Sequence, residues 1–586
     1  KRLRSPLPRS GPSKVSPVGA CNDVEKSGGQ MTSSHSAVIY FHGVGDPQRH
    51  VSLGTFLDHF DLYGQRQDKL HVGQPRSFKY EAELFPGDEE VTHFVEFKRV
   101  ITRNGRPRVA RTVRVYEAYW VPEARSTFSA SYTITWMLGR ITSPARILFS
   151  RWRAFPAIRL LALFKMSEHY PKPGHLEKLE RFYRDFENWE SRNLHPKGSY
   201  KEFRAFVQER SAPQDTNRLL AALDSWKMEV RHLALYHLGR LSFLFGVGAA
   251  TSAVSMVVGW HAPAYLGLLP ATPESALAAK ALGAAAAILL TLWPIYLGGR
   301  TYVYDVISWT LESERKRQFA SRDRVVKYSQ GLIRKIASHP RCDNITIVSH
   351  SLGSCIATEA LLKEGVREKA IRRSGGQTFL GKICSVFTVG SPLDLIFFFF
   401  QADQTFSHRY NRITEERRLS ITLPPFGQDG GAGRTKIYNV WSRFDPISSS
   451  MQALRKRMSE RRDAIINLEV LPALSPWPIR AHTSYFADVN LMSAIYASVM
   501  GTQIRVDMPK LASFMKDHRV LRDHHLAKAV ALPTIALLGV IASSTWVTAA
   551  VWILSTMLLF RRATALLSTD YQRYFGKFLL RKEVAS

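Results

Sequence analysis

The chain has 586 residues, room for a globular catalytic domain and further segments beside it. Eighty Lys and Arg against 49 Asp and Glu leave a formal charge of +31, which calls for an anionic partner, either nucleic acid or an anionic membrane surface. No zinc-finger spacing and no RNP-type aromatic motif is present, which sets nucleic acid aside. Four cysteines (Cys21, Cys342, Cys355, Cys384) in 586 residues exclude a disulfide scaffold. They show no pairing pattern, Cys355 and Cys384 read as core residues, and the set fits a reducing compartment.

Residues 1–35 are rich in Lys, Arg, Pro, Ser and Gly with no apolar h-region, so a disordered basic tail is expected and no secretory signal. A buried-strand pattern over Ala37–Phe41 runs into His42-Gly43-Val44-Gly45, where glycines let the backbone turn and approach a ligand. No strands are evident before Ala37, so the sheet is expected to be short of its first members. A second strand over Thr112–Ala118 ends in Tyr116-Glu117-Ala118-Tyr119-Trp120-Val121-Pro122, whose aromatics fit sheet-edge packing or a pocket lining. Together 36–125 form the first part of a sheet domain.

Residues 126–235 read as a helical insertion. Over 126–170, Trp136, Leu138, Ile141, Phe149 and Trp152 are interleaved with Arg140, Arg151 and Arg153, a composition that suits an interfacial helix and equally a helical cap. Within 236–300, Leu241–Trp260 and Ala281–Gly299 carry no charge and are each about long enough to span a bilayer. Their outer flanks are basic (Lys227, Arg231 and Arg240 before, Arg300 and 315–324 after), which places both flanks on the cytoplasmic side of a hairpin.

The sheet domain resumes at 301–505. Ile345–Val348, a β-branched run, enters Ser349-His350-Ser351-Leu352-Gly353 and then a small-residue helical pattern. Strand, tight turn and helix with a serine at the apex is the layout of a nucleophile elbow, with Ser349 in place of the first glycine. The N–H of Leu352 would face an oxyanion at Ser351, and the N–H of Gly43 or Val44 would supply the second donor. Two acids compete as partner. Asp394 follows the strand 385–389 and its Gly390-Ser391-Pro392 turn. Asp445 lies just past the end of the next strand, within 436–447, and is preferred because of that position; Asp394 fits better as a cap. His482, in a polar stretch after a Pro-rich loop, is the candidate base. Phe397–Phe400 suits an acyl pocket or a bilayer contact. In the last segment, 506–586, Ala529–Phe560 is uncharged with basic flanks at both ends, expected as a short membrane hairpin, with a single tilted span as the alternative. No metal-ligand cluster stands out.

With these residues in view, the chain resembles serine hydrolases of the α/β-hydrolase superfamily. It lies nearest the lipase-like branch that includes the glycosylphosphatidylinositol inositol-deacylase-like proteins. The matching residues are His42-Gly43, Ser349–Gly353, Gly390-Ser391-Pro392, Asp445 and His482, over about 36–125 and 301–500. The resemblance implies a mostly parallel sheet carrying a Ser351–His482–Asp445 triad, with the insertion as cap and membrane hairpin, and no metal or organic cofactor. It implies cleavage of a phospholipid or acylglycerol ester at the cytoplasmic face of a membrane. A thioesterase or esterase acting on a non-lipid or acyl-protein substrate, and a non-catalytic scaffold on a degenerate hydrolase fold, are the other two classes.

Overall fold

The computed structural model describes residues 35–43, 49–68, 78–85, 91–103, 106–124 and 317–375, most of 378–396, 435–451 and 465–500, the helical stretch 273–286, and isolated positions between 205 and 309 and between 551 and 558. The basic tail, most of the 126–300 insertion and most of 506–586 therefore lie outside the described residues. No helix among the described residues is long and apolar enough to cross a membrane.

The described residues build one eight-stranded mixed, mostly parallel sheet flanked by helices, so the chain belongs to the α/β class. In chain order the strands are β1 (His35–Phe41), β2 (Phe78–Glu83), β3 (Thr92–Arg103), β4 (Arg106–Ala118), β5 (Cys342–His350), β6 (Ile383–Val389), β7 (Lys436–Trp441) and β8 (Ile465–Glu469). The spatial order is β2-β3-β4-β1-β5-β6-β7-β8. From β4 to β8 all neighbours pair parallel, whereas β3 runs antiparallel to both β4 and β2. The expectation of a curtailed sheet is corrected here. The missing edge is supplied by β2 and β3, which follow β1 in the chain instead of preceding it. Their charged, alternating sequences disguised them. Arg114 of β4 explains how such polar strands attach: its guanidinium bonds Glu96 of β3 at 3.0 Å and Glu83 at the end of β2 at 2.5 Å.

The parallel strands are apolar on both faces because helices cover both. In β1 the alternation is visible residue by residue. Ala37, Ile39 and Phe41 pack with α2 (Arg317–Ser338) and α3 (Leu352–Arg373), meeting Ile333, Ile336, Ile356 and Ala360. Val38 and Tyr40 pack on the other side with α1 (Val51–Asp68) and α5 (Val489–Met500), meeting Leu53, Phe56, Phe60, Leu491 and Ile495. The spacing of Leu53, Phe56 and Phe60 puts all three on one helical stripe. Each such side chain removed from water contributes about 1.5–3 kcal/mol. Of the cysteines, Cys342 and Cys355 are buried free thiols. Cys384 is only half-buried, which corrects its assignment to the core.

Every parallel strand on the β1 to β7 side ends at the same rim, and the connections leaving that rim carry the candidate residues: His42-Gly43 after β1, Ser351 after β5, Gly390 after β6 and Asp445 after β7. A doubly covered sheet opens to ligands at the carboxyl ends of its strands, beside the strand where the connection order reverses. Here that strand is β1, since the chain next fills β2 to β4 on one side of it and then crosses to β5 on the other. Ile347, in the central strand and fully buried, tests this arrangement: Ile347→Ala should cost about 2–5 kcal/mol of unfolding free energy, whereas Leu62→Ala, at 51% exposure, should cost under about 0.5 kcal/mol. Denaturant midpoints of the two variants compare them directly.

Candidate active site

Ser351 is the turn between β5 and α3, with φ at +52°. A side chain in that left-handed region costs on the order of 1–3 kcal/mol, and it persists where surrounding structure enforces it. Two close approaches do so. The Ser351 N–H donates to the Val389 carbonyl at 2.8 Å, stitching the turn to the end of β6. Gly353, the second residue of α3, lies against the end of β1: a Cβ there would stand 2.6 Å from the Phe41 carbonyl oxygen and closer still to that of His42. Only glycine fits. Ser349 replaces the first small residue of the pattern without strain, because its buried hydroxyl donates to the Phe387 carbonyl at 2.8 Å.

The predicted base and acid meet at this turn. His482, in α4 (Pro478–Thr483), has Nε2 2.8 Å from Ser351 Oγ and Nδ1 2.8 Å from Asp445 Oδ2. The ionised carboxylate accepts only, so Nδ1 carries the hydrogen and Nε2 presents its lone pair to the serine hydroxyl. All three side chains are buried. Asp445 also accepts from the Ile447 N–H at 2.8 Å on Oδ1 and from the Tyr485 hydroxyl at 2.7 Å on Oδ2. Burial by itself would raise the Asp445 pKa; the charge and hydrogen bond of His482, with the Ile447 and Tyr485 donors, outweigh it and bring it to about 2. The rival acid, Asp394, lies outside the described residues, as do Val44 and Phe397–Phe400.

The His-Gly loop lies over the nucleophile. A Cβ on Gly43 would stand 2.8 Å from Ser351 Cβ and 3.1 Å from His350 Nδ1, so the Gly43 backbone passes as close to the serine as a chain can. Leu352 is the first residue of α3, and its N–H is among the first-turn donors that have no helical acceptor. The loop is braced from behind by Trp120, whose ring stacks on His42 at 4.9 Å and whose Nε1–H donates to the His42 carbonyl at 3.2 Å. His42 Nδ1–H donates to the Gly43 carbonyl at 2.9 Å. Burial lowers the His42 pKa to about 4, although the Gly43 bond opposes this, so the ring is neutral at neutral pH. The aromatics after Thr112 thus divide by position. Tyr116 is core but on β4, which is paired on both sides, so the expected edge packing is corrected, and Trp120 supports the loop.

Sequence reasoning missed three contributors. Tyr485 follows His482 by three residues on a 3-10 turn (Tyr485–Ala487), and nothing in a His-Thr-Ser-Tyr stretch announces a bond to an acid 40 positions earlier. Ser448 bonds the Tyr485 hydroxyl at 3.0 Å. The His350 ring lies 5.0 Å from that of His482, tilted by 34°, and donates Nε2–H to the His482 carbonyl at 2.9 Å. Burial, assisted by the nearby His482, lowers the His350 pKa to about 3, so it stays uncharged beside the base. Gly390, with φ at +61°, leaves room for the base: a Cβ would come 2.9 Å from Tyr485 Cε2 and 3.2 Å from His482 Cε1.

A separate cavity of about 830 Å³, lined by Arg49, Phe85, Glu117, Tyr328, Arg334 and Glu364 among others, contains none of the three triad side chains. Among the described residues no group of three or more His, Cys, Asp or Glu stands in metal-binding array. The chain matches no family model, no curated protein and no solved structure. The class that fold and geometry define together is an α/β protein with a buried, mutually hydrogen-bonded serine, histidine and aspartate at the carboxyl rim of its sheet.

Two outcomes follow from this geometry. Gly43→Ala inserts a methyl against Ser351, and the rate of covalent modification of Ser351 should fall about 10²–10³-fold, the scale of losing one oxyanion donor. The depressed Asp445 pKa makes its contribution to stability complete above its ordinary value of 3.8 and lost as pH falls through about 2. Acid titration of unfolding free energy should therefore be less steep between those values in Asp445→Asn than in wild type.

Proposed function

We propose that this chain is a membrane-anchored serine hydrolase of the α/β-hydrolase type that cleaves a lipid ester, a phospholipid or acylglycerol, at the cytoplasmic face of a membrane. The observation that carries the reading is the pair of 2.8 Å bonds joining Ser351 Oγ, His482 and Asp445 in the order nucleophile, base, acid.

In the forward step the Ser351 hydroxyl proton passes to His482 Nε2 as Oγ bonds the ester carbonyl carbon. The carbonyl oxygen becomes an oxyanion, met by the Leu352 N–H and by the Gly43 or Val44 N–H. Collapse breaks the bond to the alcohol oxygen, which takes the proton from His482 and leaves. Water then gives a proton to His482 and adds to the acyl-Ser351 carbon, and the second collapse returns the serine and releases the fatty acid. Asp445 remains ionised throughout and holds the imidazole in the required tautomer.

Support for a lipid substrate is of a different kind. The +31 charge suits an anionic surface. On a segment the sequence assigns to the membrane, Leu282 is 72% exposed. Val551, Leu554 and Leu558, at one-face helical spacing, are 57–60% exposed. Apolar side chains so displayed are expected where lipid is the surrounding medium.

Detergent-solubilised full-length protein treated with a fluorescent fluorophosphonate tests the chemistry. Wild type should label, and Ser351→Ala and His482→Ala should not. Turnover of a vesicle-borne ester should drop by roughly 10⁴-fold or more in either variant. Failure of folded wild type to label in the presence of lipid overturns the reading. Faster Ser351-dependent turnover of a soluble thioester than of any vesicle-borne ester would transfer the activity to the thioesterase class.

A further inference from the structure

The donors around Asp445 form an ordered series. The ionised carboxylate accepts only, so the Tyr485 hydroxyl must spend its one hydrogen on Oδ2. The Tyr485 oxygen, 3.0 Å from Ser448 Oγ, is then the acceptor in that contact; the single Ser448 hydrogen has a second acceptor in the Ser442 carbonyl at 3.3 Å, and the shorter contact assigns it to Tyr485. Ser448 Oγ in turn accepts from the Ser442 N–H at 3.2 Å. Backbone N–H, serine O–H and tyrosine O–H thus point one way and end on the oxygen that also accepts from His482. Donors in series polarise one another, most effectively where water is excluded, and Tyr485, Ser448 and Asp445 are all fully buried.

We propose that Tyr485 is a positioning residue whose hydroxyl, backed by Ser448, withdraws charge from Asp445 and thereby sets the proton affinity of His482. The kinetic consequence rests on the serine-hydrolase reading; the relay itself does not. Without the hydroxyl the carboxylate is a stronger base and holds the imidazolium more tightly. The titratable groups facing the pair are Tyr485 itself, His350 from the end of β5, and His42 behind it on the loop after β1. Both histidines are uncharged at neutral pH, so Asp445 is the one charge beside His482 among them.

Tyr485→Phe retains the ring that packs beside Gly390 and deletes only the donor. In fluorophosphonate labelling rates measured against pH, the acid limb should move upward in Tyr485→Phe by about half to one pH unit, and the plateau should fall several-fold. Ser448→Ala, which removes the upstream donor and leaves Tyr485 in place, should move the limb in the same direction by less. A purely structural role would lower the plateau and leave the limb where it is, and that result in both variants overturns the relay. The downfield Nδ1–H proton resonance of His482 at acid pH gives a second measure that needs no turnover. It should shift further downfield in Tyr485→Phe; an unchanged resonance in the folded variant overturns the relay. Wild type that fails to label yet shows the resonance shift would sink the hydrolase reading and keep the relay.

Discussion

The left-handed turn at Ser351 is the constraint on which the rest of the site depends. It forces the chain to reverse from β5 into α3 within one residue, so the helix must start in contact with the strand ends beside it. That contact is possible because Gly353 has no side chain where β1 ends, and because Gly43 has none where the next loop crosses Ser351. Three backbones therefore meet around one hydroxyl. The cost of the turn is met by the core beneath it: β1, β5 and β6 are buried on both faces and cannot shift to relax a single residue. A strained, rigidly seated serine and an adjacent loop with room for nothing larger than glycine are two results of one packing requirement.

Burial then determines the electrostatics. Water is excluded from His482, Asp445 and Tyr485 alike, so each polar group must find its partner within the protein. An isolated carboxylate in such a place would take up a proton. Asp445 stays ionised because His482, Ile447 and Tyr485 converge on it, and the same low-dielectric setting keeps His350 and His42 neutral. The neutrality of His350 means that no second cation stands beside the His482 ring, 5.0 Å away.

The sheet shows how the scaffold accommodates an unusual chain order. The edge beyond β4 comes from β2 and β3, inserted after α1; Arg114 bridges Glu83 and Glu96 there, and Phe94 and Phe97 of β3 pack into the core on either face. The strands that carry the site are continuous hydrophobic runs of the central region. Those that close the edge alternate charged and apolar residues. The long insertion leaves the sheet just after the short 3-10 turn Val121–Ala124, next to Trp120, so the brace of the His42 loop also lies where the chain departs.

The sequence by itself determined the central strands, the elbow and the order serine, acid, histidine, because each is written in a local pattern: β-branched runs on both sides of a turn, small residues where backbones touch, an acid or imidazole just past a strand end. It chose Asp445 from position alone, and the contact with His482 agrees with that choice. It did not reveal β2 and β3, whose alternation of charge and apolar residues matches a solvated strand or a loop equally well. It also passed over Tyr485, Ser448 and His350, and it read Trp120 as edge packing or pocket lining instead of the brace behind His42. Only the tertiary structure decided these, because each acts on a residue far along the chain or through a shared desolvated space. Tyr485 bonds an acid 40 residues before it, and Trp120 stacks on a histidine 78 before it. Burial, which a sequence pattern indicates only for apolar side chains, is what turns those distant polar contacts into determinants of charge.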